Sequence, residues 1–161
     1  MLRLFVAPVT KAHILGGKAV ACFIAIALVE TVLLSIGMAA FGIVPQSWPL
    51  LVLGLACTAI GFCGVMMLLT VLGRRSQSAS GLSWAMLMVF AMLGGGMLPL
   101  VAMPPWLQQV STASPVSWAL LAIEGALWRG YGLGDMAVPC GGLLAMGVLS
   151  FVWGAWRFSY D

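Results

Sequence analysis

The sequence predicts an all-α integral membrane protein with four transmembrane helices, an amphipathic amino-terminal helix and a re-entrant pair of short outer helices before the last span. Three observations predict it. Hydrophobic residues make up 63% of the 161-residue chain and charged residues only 7%, whereas a water-soluble domain carries about 25% charged residues to cover its surface. Four long stretches are almost free of charge, and the mean hydropathy is +1.13. If those stretches span a bilayer, six of the seven basic residues fall on one side: Arg3, Lys11, Lys18, Arg74, Arg75 and Arg157, with Arg129 alone opposite. Lys and Arg are retained on the cytoplasmic side of short loops, so both termini and the Arg74-Arg75 turn are expected to face the cytoplasm.

The elements follow in order. Residues 1–18 contain Pro8, Thr10, Lys11 and His13 and end in Gly16-Gly17-Lys18. That pattern predicts a short Pro-initiated surface helix with a polar side, closed by the two glycines. A crossing helix needs roughly 20 apolar residues, and the first such run covers about 19–43, interrupted by Glu30 alone. Pro45 and Pro49 end it, because both cannot sit inside one continuing helix, and Trp48 between them has the amphipathic ring favoured at the lipid boundary.

The second span, about 50–72, places Gly54, Thr58, Gly61 and Gly64 along one helical face. Small residues there permit close helix contact, a main source of association in lipid. A polar turn at residues 73–78 leads to a third, Met-rich span of about 82–98, which breaks at Gly94-Gly95-Gly96 and Pro99. Residues 103–134 are too polar and Pro-punctuated for a span yet too apolar for a solvated loop. They predict two short outer helices within about 106–128, one after Pro104-Pro105 and one after Pro115. Such backbone is tolerable at depth only where protein or water satisfies its polar groups. The last span covers about 136–156 and ends in an aromatic and basic boundary.

Several function classes are excluded. The formal charge of +3 is small and scattered, so nucleic acid is not an expected partner; the lipid bilayer is. The chain has no room for a soluble catalytic domain, and its first residues do not read as a cleavable signal peptide. Cys22, Cys57, Cys63 and Cys140 form no CxxC pair, so they are expected to pack as small apolar residues, with neither a disulfide framework nor a metal site. Ser83, Ser117 and Ser150 have no His and Asp constellation, and His13 falls on the opposite membrane face from Ser117.

Glu30 is the only ionisable residue deep within a span. A carboxylate at a helix centre costs roughly 2.5–3.5 kcal/mol on insertion scales, so Glu30 is expected to face the bundle or be protonated. It reads either as part of a transport path or helix contact or as a structural hydrogen bond. Glu124 and Arg129 are five apart, and helical partners favour three or four; they are expected to bracket the second outer helix rather than pair. Asp135 reads as a helix-start residue that satisfies free amides.

Several segments together resemble the carboxy-terminal portion of type-2 (ABC-2) ABC transporter permeases. They are Ala7-Pro8-Val9-Thr10-Lys11 with Gly17-Lys18, Gly95-Gly96-Met97-Leu98-Pro99, Met103-Pro104-Pro105-Trp106-Leu107-Gln108 and Ser114-Pro115-Val116-Ser117-Trp118-Ala119. In that family a permease half has six spans, and this chain resembles either the last four of them or an unusually short member. The resemblance implies that Pro8, Thr10, Lys11 and His13 belong to a coupling segment resting on a cytoplasmic ATPase. It also implies that Pro99, Pro104, Trp106, Pro115, Trp118 and Glu124 belong to the outer re-entrant segment.

The function so implied is that of a membrane permease subunit of an ATP-driven exporter in a bacterial inner membrane, moving a lipophilic, drug-like or polysaccharide substrate. The chain has no GxxxxGK[ST] sequence, so ATP and Mg would be held by the partner ATPase, and this chain would bind no cofactor and be no enzyme itself. A second permease chain, identical or related, would complete the path. Two alternatives remain: a small four-helix proton-coupled multidrug antiporter using Glu30, and a noncatalytic membrane scaffold.

Overall fold

The amino-terminal glycines do not end the first helix. Helix α1 runs unbroken over Lys11–Phe41, about 46 Å at 1.5 Å per residue, in a computed structural model that describes residues 11–72, 77–97 and 102–159. The expectation of a separate helix closed at Gly16-Gly17 is therefore corrected. Among the described residues, positive φ occurs only at Gly42, Gly95 and Gly130. Two glycines weaken a helix by roughly 1 kcal/mol each relative to alanine, and the long apolar stretch behind them outweighs that. Gly42, at φ 64°, is the actual stop, one residue past Phe41, where a left-handed glycine closes many helices.

Helix α2 covers Trp48–Leu72, with Pro49 in its first turn, where a missing N–H is harmless. Helix α3 covers Gln77–Leu93, five residues earlier at each end than the expected 82–98. Its stop is set by hydrogen bonding: Gly94 N donates to the Phe90 carbonyl (2.8 Å) and Gly96 N to the Ala91 carbonyl (2.9 Å). With Gly95 at φ 89°, this is the glycine-dependent cap that turns a chain out of a helix. Helices α4, Pro105–Ser111, and α5, Pro115–Leu127, are the two expected short helices, bent by 92° from one another. Helix α6 covers Leu133–Ser159 and contains Pro139.

The bundle is built on the seam between α2 and α6. A Cβ at Gly54 would lie 3.2 Å from Met136 Cε, one at Gly61 would lie 3.0 Å from the Leu143 carbonyl oxygen, and one at Gly64 would lie 2.6 Å from the Gly147 carbonyl carbon. The small-residue face expected on the second span is thus the face that meets the last one, backbone against backbone. The contacts advance together along both helices, from Gly54 and Met136 to Leu68 and Gly154, so α2 and α6 run parallel. Helix α5 fills the remaining side of this seam, and Leu51, Cys57, Ala122, Ala126, Met136 and Leu143 form the shared core.

Helix α1 packs mainly on α2 and leaves Val20, Ile24, Leu28, Leu33 and Ile36 half exposed or more. Such an apolar outer face is the expected surface of a helix in lipid, where exposed leucine and isoleucine carry no hydrophobic cost. Three stretches among the described residues are long and apolar enough to cross a bilayer: Gly16–Phe41, Trp48–Thr70 and Leu133–Trp156. Because α2 and α6 are parallel, the chain between them must cross back. Helix α3 supplies the first part of that return, about 26 Å, and meets α5 where Ser114 Oγ donates to the Phe90 carbonyl (2.7 Å). Helix α5 then climbs to the α1–α2 loop, whose Gln46 and Ser47 amides bond the Leu127 and Ala126 carbonyls (3.3 and 3.4 Å).

Candidate functional site

The bend between α4 and α5 lies beside the middle of the bundle, since Trp118 rests on Gly142, nine residues into α6. Unpaired backbone groups there are costly without water, and the side chains that follow the bend satisfy them. Ser117 Oγ donates to the Ser111 carbonyl (2.7 Å) and shares its proton with the Ser114 carbonyl (2.8 Å). The Trp118 indole N–H donates to the Thr112 carbonyl (2.8 Å). Ser114 caps α5 by accepting from Val116 N (3.2 Å), and Pro115 follows at the first helical position, where its fixed φ suits the turn. Ser111, Ser114, Pro115 and Ser117 are all buried. This is irregular backbone whose carbonyls are met by neighbouring side chains, while Thr112 and Ala113 at its centre stay exposed.

The expected outer residues divide. Pro115 and Trp118 hold the bend; Pro104 caps α4 without a side-chain bond, and its carbonyl accepts from Leu107 N and Gln108 N (2.9 and 3.1 Å). Trp106 projects outward, 65% exposed. Pro99 lies outside the described residues. Glu124 does not merely bracket the helix: its Oε2 pairs with Arg129 at 2.7 Å. The expectation failed because α5 ends at Leu127, so Arg129 is on a turn. Its own amide folds back to the Glu124 carbonyl (3.0 Å), which shortens a five-residue spacing to contact. Hydrogen bonding to Glu124 pushes the Arg129 guanidinium above its ordinary range. Asp135 behaves as expected, accepting from Gly132 N (3.1 Å) at the start of α6.

Glu30 stands apart from this cluster. It lies on the half-buried side of α1, in line with Phe23, Ala27 and Leu34, and that side faces α2. Its Oε2 is buried without a hydrogen-bond partner. The nearby hydroxyls are committed elsewhere: Thr31 donates to the Ala27 carbonyl and Ser35 to the Thr31 carbonyl, both at 2.7 Å. A groove of about 510 Å³ runs beside it between α1 and α2, lined by Ala27, Leu34, Met38, Trp48 and Leu55. Farther from the α1–α2 loop along the same pair, Cys63 Sγ donates to the Ala19 carbonyl (3.3 Å), so this thiol joins two helices. All four cysteines are free, and Cys57, Cys63 and Cys140 are buried.

The described coupling residues lie at the end of α1 opposite the α1–α2 loop. Lys11 opens the helix and His13 is exposed in its first turn; Pro8 and Thr10 lie outside the described residues. Residues whose roles were not foreseen are Ser114, Ser117, Gly142, Gly147 and Gln46. A Ser-Pro pair at 114–115 is a legible helix-start signal, but its link to Phe90 is not.

Fold and bend together define an all-α, multi-pass membrane protein with a helix pair bent by 92° before its last span. A family model described as ABC-2 family transporter protein matches residues 1–156, and the chain belongs to that family. No curated protein and no solved structure gives a significant match.

Proposed function

We propose that this chain is the membrane permease subunit of an ATP-driven exporter in a bacterial inner membrane. In this reading a separate cytoplasmic ATPase binds ATP and Mg and engages the segment of Pro8, Thr10, Lys11 and His13. A second permease chain completes the path, and both termini face the cytoplasm. The family match over residues 1–156 carries the reading. The lie of α1 supports it: one continuous helix joins the Lys11 end to the loop that bonds α5. A push at Lys11 would reach the α1–α2 loop, and through it the carboxy-terminal end of α5, as rigid-body motion between two packed arrangements.

The test is copurification and transport. Coexpressed with its ABC ATPase, the chain is expected to retain that subunit through detergent extraction and to lose it on Lys11→Glu. Reconstituted vesicles should export a lipophilic dye with ATP. Export that instead follows a proton gradient with the ATPase absent would favour an antiporter using Glu30; an intact complex after Lys11→Glu would remove the coupling assignment.

A further inference from the structure

The structure contains a small aromatic pocket between α5 and the start of α6, which shares Trp118 with the bend and is separate from Glu30. It encloses about 230 Å³ and is lined by Trp118, Leu121, Tyr131, Asp135, Val138 and Pro139. Both rings are held by glycines. A Cβ at Gly142 would lie 2.9 Å from Trp118 Cδ2, and one at Gly125 would lie 2.8 Å from Tyr131 Cγ. Each ring therefore lies flat on a helix that no other residue would let it approach. A hydrogen bond fixes the Trp118 ring further, its indole N–H donating to the Thr112 carbonyl (2.8 Å), and the Tyr131 main chain is anchored by its amide to the Gly125 carbonyl (3.1 Å). Two immobilised π faces beside a carboxylate form the arrangement that attracts organic cations.

Charge decides the sign of the occupant. At this end of the bundle the described acidic and basic residues are Glu124, Arg129 and Asp135. Arg129, which also lies beside the Tyr131 hydroxyl, is matched by Glu124 at 2.7 Å. Asp135 is in no ion pair among the described residues and so supplies the uncompensated charge. The start of α6 would by itself favour an anion, but the Asp135 carboxylate already caps it through Gly132 N (3.1 Å), and an added anion would meet a like charge. Pro139 strengthens the negative character, because without an N–H it leaves the Asp135 main-chain carbonyl short of its helical donor.

We propose that this pocket binds an alkylammonium group, with Trp118 and Tyr131 as the π faces and Asp135 as the counter-charge. The group could belong to a lipid head or to a soluble cation; the shared chemistry is what the site recognises. This goes beyond the exporter reading and stands whether or not an ATPase couples to the chain.

The test uses the full chain in nanodiscs of phosphatidylglycerol, titrated with tetramethylammonium chloride and read by saturation-transfer NMR on the methyl protons. Saturable binding is expected, and sodium chloride at equal concentration should not displace it. Asp135→Asn keeps an oxygen to cap Gly132 but removes the charge, and Tyr131→Leu removes a ring; each should weaken binding by roughly tenfold, with Tyr131→Phe close to wild type. Unchanged melting of Asp135→Asn would show that the loss is local. Nanodiscs of phosphatidylethanolamine should lower the apparent affinity if the lipid head is the natural occupant, and leave it unchanged if a soluble cation is. No saturable binding, or wild-type binding by Asp135→Asn, would overturn the proposal.

Discussion

Gly64 and Gly147 bring the backbones of α2 and α6 into direct contact: a Cβ on Gly64 would lie 2.6 Å from the Gly147 carbonyl carbon and 2.7 Å from its Cα. Because the obstacle is main chain, it cannot swing aside as a side chain could. Gly64→Ala is expected to destabilise the bundle by about 1–3 kcal/mol. Gly37→Ala, with nothing within 4 Å of the added carbon, should cause no loss. A thiol-reactive dye that reports exposure of buried Cys57, Cys63 and Cys140 would measure both on heating. Equal melting of the two variants would contradict the close seam.

Ser114 ties two helices with one hydroxyl, donating to the Phe90 carbonyl of α3 at 2.7 Å and accepting from Val116 N of α5 at 3.2 Å. Ser114→Ala should cost roughly 1–2 kcal/mol, the usual value of a lost N-cap. The loss should be local: hydrogen exchange is expected to accelerate at Val116 and at Gly94, near the end of α3, while α2 and the middle of α6 stay protected. Uniform acceleration across the bundle would argue against this local role.

The sequence revealed one side of the helix seam and missed the other for a physical reason. Gly54, Thr58, Gly61 and Gly64 recur at three and four along one face, whereas the glycines of α6, at 134, 141, 142, 147 and 154, point in several directions. Gly142 receives Trp118 while Gly147 receives α2, so no single stripe announces the contact. The third span was misplaced because apolar content continues through Gly94-Gly95-Gly96, and only the capping bonds show that the helix has ended. At the bend, prolines gave the helix starts to within a residue. Ser117 and Trp118 each satisfy a carbonyl six residues back, across a 92° turn whose angle no spacing rule supplies.

The Glu124–Arg129 pair closes at 2.7 Å, yet Arg129 is 43% exposed. Two partly wet side chains gain little by pairing, because solvent screens the attraction and each loses rotamer freedom. A double-mutant cycle with Glu124→Gln and Arg129→Gln should therefore give a coupling below about 1 kcal/mol. It should shrink further in 1 M salt, where screening acts over roughly 3 Å. A coupling of several kcal/mol that survives high salt would mean the pair is buried in the working assembly.

Glu30 separates stability from function. Its Oε2 is buried against the α2 side without a hydrogen-bond partner, and an unsatisfied group of this kind costs about 1–3 kcal/mol. Glu30→Leu should consequently insert normally and melt at the same temperature or higher, since it replaces that group with apolar surface. If the carboxyl serves the transport path, Glu30→Gln, nearly the same shape without the ionisable proton, should lower export with no fall in melting temperature. The two readouts exclude different ideas. Lower melting of Glu30→Leu would mean that the carboxyl holds a stabilising partner, while wild-type export by Glu30→Gln would rule out any ionisable role.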